Sequence, residues 1–141
     1  MFNVVVVGAD DSITAQRAVE AATEIALLSG GELHIVSAFD STPFAINGLP
    51  DEFKQVNSAS DVDALLQVLS FIARKRGLEP VVHAVKGTAA DALLKKAVDL
   101  NADLIVVGNR GMRGVRRVLG SVPNSIAHGA HCSVAIIDTT E

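Results

Sequence analysis

Cysteine is almost absent from the chain, which has only Cys132. A lone thiol makes no internal disulfide, which suits a reducing compartment, and between apolar strand-like neighbours it reads as packing rather than chemistry. No apolar run approaches the roughly 20 residues that a membrane-spanning helix requires. A leader is equally hard to find, since Met1 runs straight into FNVVVVG without a basic start, an apolar core and a small-residue cleavage site. The expectation is a cytoplasmic, soluble protein that does not engage membranes. Positive charge is also in deficit, with 12 Lys and Arg against 16 Asp and Glu and a net charge of −4. That balance argues against a broad nucleic-acid footprint, so any anion the protein holds is small and locally cradled. There is no internal repeat and no low-complexity tract. With 141 residues, 49% of them apolar, the chain can bury one core but not two, and it is read as a single domain, residues 1–141.

What is present is an alternation. Three continuous apolar runs, FNVVVVG (2–8), LHIVSAF (33–39) and DLIVVG (103–108), suit strands buried on both faces, and PVVHAV (80–85) and SVAIID (133–138) read the same way. Between the first two runs, Ala15, Ala18, Val19, Ala22, Ile25 and Ala26 fall on one helical stripe that Gly30 and Gly31 end. The segments around 58–76, 88–100 and 121–129 repeat the helical period. Strand and helix in alternation predict a parallel sheet with right-handed crossovers, a doubly wound α/β sandwich of three layers. One long connection, DSTPFAINGLPDEFKQVNS, carries Pro43, Gly48 and Pro50 and reads as a surface loop of the kind that covers a site.

In such sheets ligands sit beyond the carboxyl ends of the strands, and two of those ends are unusual here. In VVGADDS, Gly8 ends the strand and Asp10, Asp11 and Ser12 lead into the helix. One of the three caps the helix, while two adjacent carboxylates leave room for one to bind a hydroxyl or amine. The second stretch, VVGNRGMRGVRRVLGSVPN, has four arginines in eight residues, a third of the basic residues of the chain, and no lysine or acid. Glycines allow a phosphate to approach the backbone, and the helix that starts at Gly120-Ser121, with Pro123 in its first turn, offers N–H groups and a positive dipole end. Ser121 either caps that helix or donates its hydroxyl to a phosphate oxygen. The pattern is neither a Walker A loop nor G-x-G-x-x-G, which disfavours NTPase machinery and dinucleotide binding. His34 and His83 fall in strands, His128 and His131 lie near the end of the last helix, and no pair has metal-ligand spacing.

VVVVGADDSITAQRAVEAA, GTAADALLKKAVDLNADLIVVGNRG and GSVPNSIAHGAHCSVAII together resemble the universal stress protein family over nearly the whole chain. The most specific part is that family's nucleotide motif, G-x2-G-x9-G-[S/T], supplied here by Gly108, Gly111, Gly120 and Ser121, with eight rather than nine residues between Gly111 and Gly120. The resemblance places the chain in the nucleotide-binding branch and implies a flavodoxin-like, Rossmann-like fold with strand order 3-2-1-4-5. It implies that Asp10 contacts the ribose or adenine, that Ala38 meets the adenine edge through its backbone, and that Gly8 and Ala9 line the same cleft. Val107, Gly108, Arg110 and Gly111 would lie along the ribose and phosphates, and Gly120, Ser121 and Val122 would hold the phosphates.

The ligand so implied is ATP or a related adenine nucleotide such as AMP or cyclic AMP, with Mg²⁺ as a candidate companion. The last strand, Ser133 to Asp138, would pair across a two-fold axis in a homodimer. The function expected is that of a stress-response regulator or sensor. The competing readings are a weak ATPase or autophosphorylating protein, and an interaction module without nucleotide.

Overall fold

A computed structural model describes residues 1–39, 59–109 and 120–139. The long connection at 40–58 and the arginine-rich stretch at 110–119 lie outside the described residues, and with them the expectations placed on Arg110 and Gly111. In chain order the elements are β1 (Val4–Gly8), α1 (Ile13–Ser29), β2 (Glu32–Phe39), α2 (Ala59–Arg74), β3 (Val81–Lys86), α3 (Ala89–Asp99), β4 (Leu104–Gly108), α4 (Ser121–Gly129) and β5 (Ser133–Ile137). All strand pairs are parallel and the order is β3-β2-β1-β4-β5.

Period-two alternation along the strands divides the core into two slabs. Val5 and Val7 of β1, Leu33 and Ile35 of β2 and Leu104 and Val106 of β4 pack with α1 and α2. Val6, Val36, Ile105 and Val107 face the other way, against Leu93 and Ala97 of α3 and Ile126 of α4. The central strands are buried on both faces, as their uninterrupted apolar runs demand. The two less pure runs differ. β3 and β5 are the sheet's edges among the described residues, and half of their positions stay accessible, so polar residues enter without cost.

α1 begins at an N-cap, Ser12, and ends where Gly30 takes a left-handed conformation with φ 69°. Gly31 lets the chain pass the first strand, for a Cβ there would come 2.2 Å from the Phe2 carbonyl oxygen. The buried stripe of α1 departs from the expected one at two places. Ile25 is only partly buried and Thr23 is fully buried. The threonine is tolerated because its hydroxyl donates to the Val19 carbonyl one turn back, at 2.7 Å. Cys132 packs partly buried against the α3/α4 slab, and its thiol is held protonated, pushed up first by burial and then by the charge of Asp103. No helix among the described residues is long and apolar enough to cross a membrane.

His34 and His83 meet across β2 and β3, with Nδ1 of His34 2.9 Å from Nε2 of His83 and Nε2 of His34 3.0 Å from a Glu32 carboxylate oxygen. A carboxylate only accepts, so a ring proton of His34 sits at Nε2. The lone pair at Nδ1 then accepts from the His83 Nε2–H, which fixes both tautomers. Burial first, then the charge of Lys96 and that of His34 when it is protonated, lower the His83 pKa to about 4. Between the ordinary value of 6.5 and about 4 the unfolded chain therefore binds more protons at this residue than the folded one. Folding stability is predicted to fall as pH drops through that window, by about 1 kcal/mol after allowance for solvent screening. Urea titrations between pH 7 and pH 4 test this: His83→Gln should lose that part of the pH dependence, and an unchanged profile would contradict it.

Candidate functional site

β1 is the strand at which the winding reverses. The connection leaving β1 runs through α1 to β2 on one side, whereas β4, its other neighbour, leads through α4 to β5 on the opposite face. Adjacent chains thus part at the carboxyl ends of β1 and β4, and a cleft of about 410 Å³ opens there, in the size range of small-molecule sites.

The first lip is the turn from β1 into α1. Gly8 keeps the backbone against α3, since a Cβ would approach Leu93 Cδ2 to 2.6 Å. Ala9 is held to β2 twice: its N–H donates to the Val36 carbonyl at 3.0 Å, and its carbonyl accepts from the buried Ser37 hydroxyl. Asp10 Oδ1 accepts from the Ser12 N–H at 2.9 Å and from the Ser12 hydroxyl, whose oxygen in turn accepts from the Ala15 N–H at 3.2 Å. Ser12 is therefore the helix cap and Asp10 aims it, which leaves the aspartate as a fixed carboxylate at the mouth of the cleft. Asp11 is exposed and outside the lining.

The second lip is Val107-Gly108 at the end of β4, and the third is the start of α4. Gly120 is the N-cap there, and no side chain caps the helix. Of the two readings of Ser121, cap or phosphate donor, the first falls: Ser121 is the first helical residue, and the cap position holds a glycine with no side chain to offer. Asn124 N–H makes the first helical bond, to the Gly120 carbonyl at 3.0 Å, and Pro123 has no N–H at all. Gly120, Ser121 and Val122 are left as the N–H groups without a partner inside the helix. The amino ends of α1 and α3 reach the same cleft through Ser12 and Ala89, yet both are closed by their own caps, Ser12 and Thr88. Three positive dipole ends converge, and the one without a side-chain cap faces the opening. Apolar and small residues, including Ala15, Ala18, Val36, Ala38 and Leu93, form the floor.

Of the residues singled out from sequence, Gly8, Ala9, Asp10, Ala38, Val107, Gly108, Ser121 and Val122 line this one cleft, and Gly120 adjoins it as the cap position of α4. Sequence reasoning missed Val36, which the period of two from Ala38 would have given, and Ala15 and Ala18, which it spent on the core. Ala89 and Leu93 carried no local signal, because their place depends on how α3 crosses the sheet. Among the described residues no group of three or more His, Cys, Asp or Glu is placed to hold a metal.

A doubly wound α/β domain with a ligand-sized cleft at its switch point is the class that fold and site define. Within that class, the universal stress protein family matches residues 1–138, and the chain belongs to it. A universal stress protein of Mycobacterium tuberculosis is 34% identical over 144 residues, covering 99% of this chain and 98% of its own. Among solved structures, a universal stress protein in complex with cAMP superimposes with a TM-score of 0.78 at 32% identity, covering 99% of this chain and 98% of that one. A universal stress protein from Archaeoglobus fulgidus in complex with dAMP, at 23% identity and a TM-score of 0.71 with 98% of each chain covered, shares the flavodoxin-like fold.

Proposed function

We propose that the cleft binds an adenine nucleotide, cyclic AMP, AMP or ATP, and that the protein acts as a stress-response regulator or sensor whose state is set by that ligand. The observation that carries this reading is the α4 amino terminus without a side-chain cap, facing an apolar slot. A purine needs a flat apolar bed, and Val36, Ala38, Leu93 and Val107 supply one. A ribose hydroxyl finds an acceptor in the Asp10 carboxylate, and phosphate oxygens find the N–H groups of Gly120, Ser121 and Val122 with the Ser121 hydroxyl beside them. Arg110 and Gly111, outside the described residues, are assigned to the phosphates by the family resemblance, and Mg²⁺ would accompany a longer phosphate chain. The relative that was solved with cAMP, matched over 99% of this chain, supports the class of ligand.

Calorimetric titration with cyclic AMP, AMP and ATP, with and without Mg²⁺, tests the reading. Saturable binding is expected, weakened about tenfold, or ~1.4 kcal/mol, in Asp10→Ala. In Gly120→Asp a carboxylate placed at the anion end should abolish it. A folded protein that releases no heat with any of the three would refute the nucleotide reading.

The same reading includes a second copy of the chain. β5 ends the sheet among the described residues, with Ile136 37% exposed on it, and an open strand edge of this kind is a template for pairing. We place the two-fold contact along Ser133 to Asp138. Light scattering should give the mass of a dimer, and Ile136→Lys should shift it toward the monomer; a monomeric parent protein would overturn this part of the proposal.

A further inference from the structure

Asn109 follows β4 directly and precedes Arg110, yet its side chain points away from solvent and is only 2% exposed. Among the described residues, its amide bonds to the two residues that follow β5. Nδ2 donates to an Asp138 carboxylate oxygen at 3.0 Å, and Oδ1 accepts from the Thr139 N–H at 2.9 Å and from the Thr139 hydroxyl at 3.2 Å. The backbone N–H of Asn109 adds a bond to the Ile137 carbonyl at 2.9 Å. Thr139 is itself 2% exposed, and its methyl packs against Gly108, where an added Cβ would lie 3.1 Å from Thr139 Cγ2. From the other side, Arg17 of α1 reaches the Thr139 carbonyl at 3.5 Å.

We infer that Asn109 is a positioning residue: it straps Asp138 and Thr139 across the carboxyl end of β4 and so sets the backbone of Gly108 for phosphate. The inference rests on the nucleotide reading above. A buried carboxamide with its acceptor and a donor both engaged has one geometry, and the cost of breaking it is that of a buried unsatisfied group. The residue it fixes, Gly108, lines the cleft at the end of β4. The strap also joins two walls, since α1 carries the first lip and β4 the second. Asp138 and Thr139 thereby become part of the site, although neither lines the cleft.

The strap acts at the phosphate end and leaves the apolar floor alone, which distinguishes positioning from general support. Asn109→Asp keeps the acceptor for Thr139, removes the donor to Asp138 and sets two carboxylates against each other. Exchanging the partners, as Asn109→Asp with Asp138→Asn, restores one amide and one carboxylate in contact. Affinities for AMP, and for adenosine by competition at millimolar concentration, are to be measured on the full chain of each variant. The single variant should bind AMP at least tenfold more weakly with adenosine changed less than twofold, and the exchange should recover AMP binding to within about threefold. Equal loss for both ligands, unchanged AMP affinity, or no recovery in the exchanged protein would each overturn the assignment. Absence of AMP binding in the unaltered protein would overturn this inference, and absence of cyclic AMP and ATP binding as well would bring down the nucleotide reading with it.

Discussion

The constraint on which the rest of the molecule depends is the reversal of winding at β1. A parallel sheet needs a crossover for every strand, and each crossover covers one face. Once β2 and β3 grow to one side of β1 and β4 and β5 to the other, the connections after β1 and β4 must leave toward opposite faces. No helix can cover the gap between them. The cleft is therefore a consequence of topology before it is a consequence of any particular side chain, and the residues at its rim are those that happen to end strands.

Electrostatics then makes the cleft selective. Every helix in this fold starts at the carboxyl end of a strand, so the amino ends of α1, α3 and α4 collect at one edge of the sheet. Nature of the cap decides which of them is available. Ser12 and Thr88 satisfy their own helices, whereas α4 opens with a glycine that has no side chain to offer and a proline that removes one donor. A net charge of −4 surrounds this local positive field, so attraction for an anion is confined to a few residues. Asp10 does not defeat it, because its oxygen Oδ1 is engaged by Ser12 at the opposite lip.

Much of this was legible in the sequence for identifiable reasons. Central strands of a parallel sheet are buried on both faces, so VVVV and LIVV announce themselves, and Gly30 with Gly31 marks the end of α1. The strand order was not readable from period or spacing and came from the family resemblance alone. Sequence was weaker where a polar group is satisfied by something distant. Thr23 was absent from the expected stripe, and its bond to the Val19 carbonyl is invisible without the helix. His34 and His83 are 49 residues apart and become a pair only when β2 and β3 align. Nothing in the sequence singles out Asn109, because its partners lie 29 and 30 residues further on. The glycines and Ser121 of the last helix were found because glycine at a helix start is a backbone signal. Whether Ser121 caps that helix stayed open, since sequence does not distinguish the cap position from the first helical one.

The most direct measurement is a nitrogen–proton correlation spectrum of the labelled protein, recorded through a titration with cyclic AMP and, separately, with adenosine. The account predicts that cyclic AMP moves the amide resonances of Gly120, Ser121 and Val122 together with those of Gly8 and Ala38. Adenosine should move Gly8 and Ala38 but leave the α4 amides nearly still. Shifts clustered elsewhere on the molecule, or α4 amides indifferent to the phosphate, would contradict it.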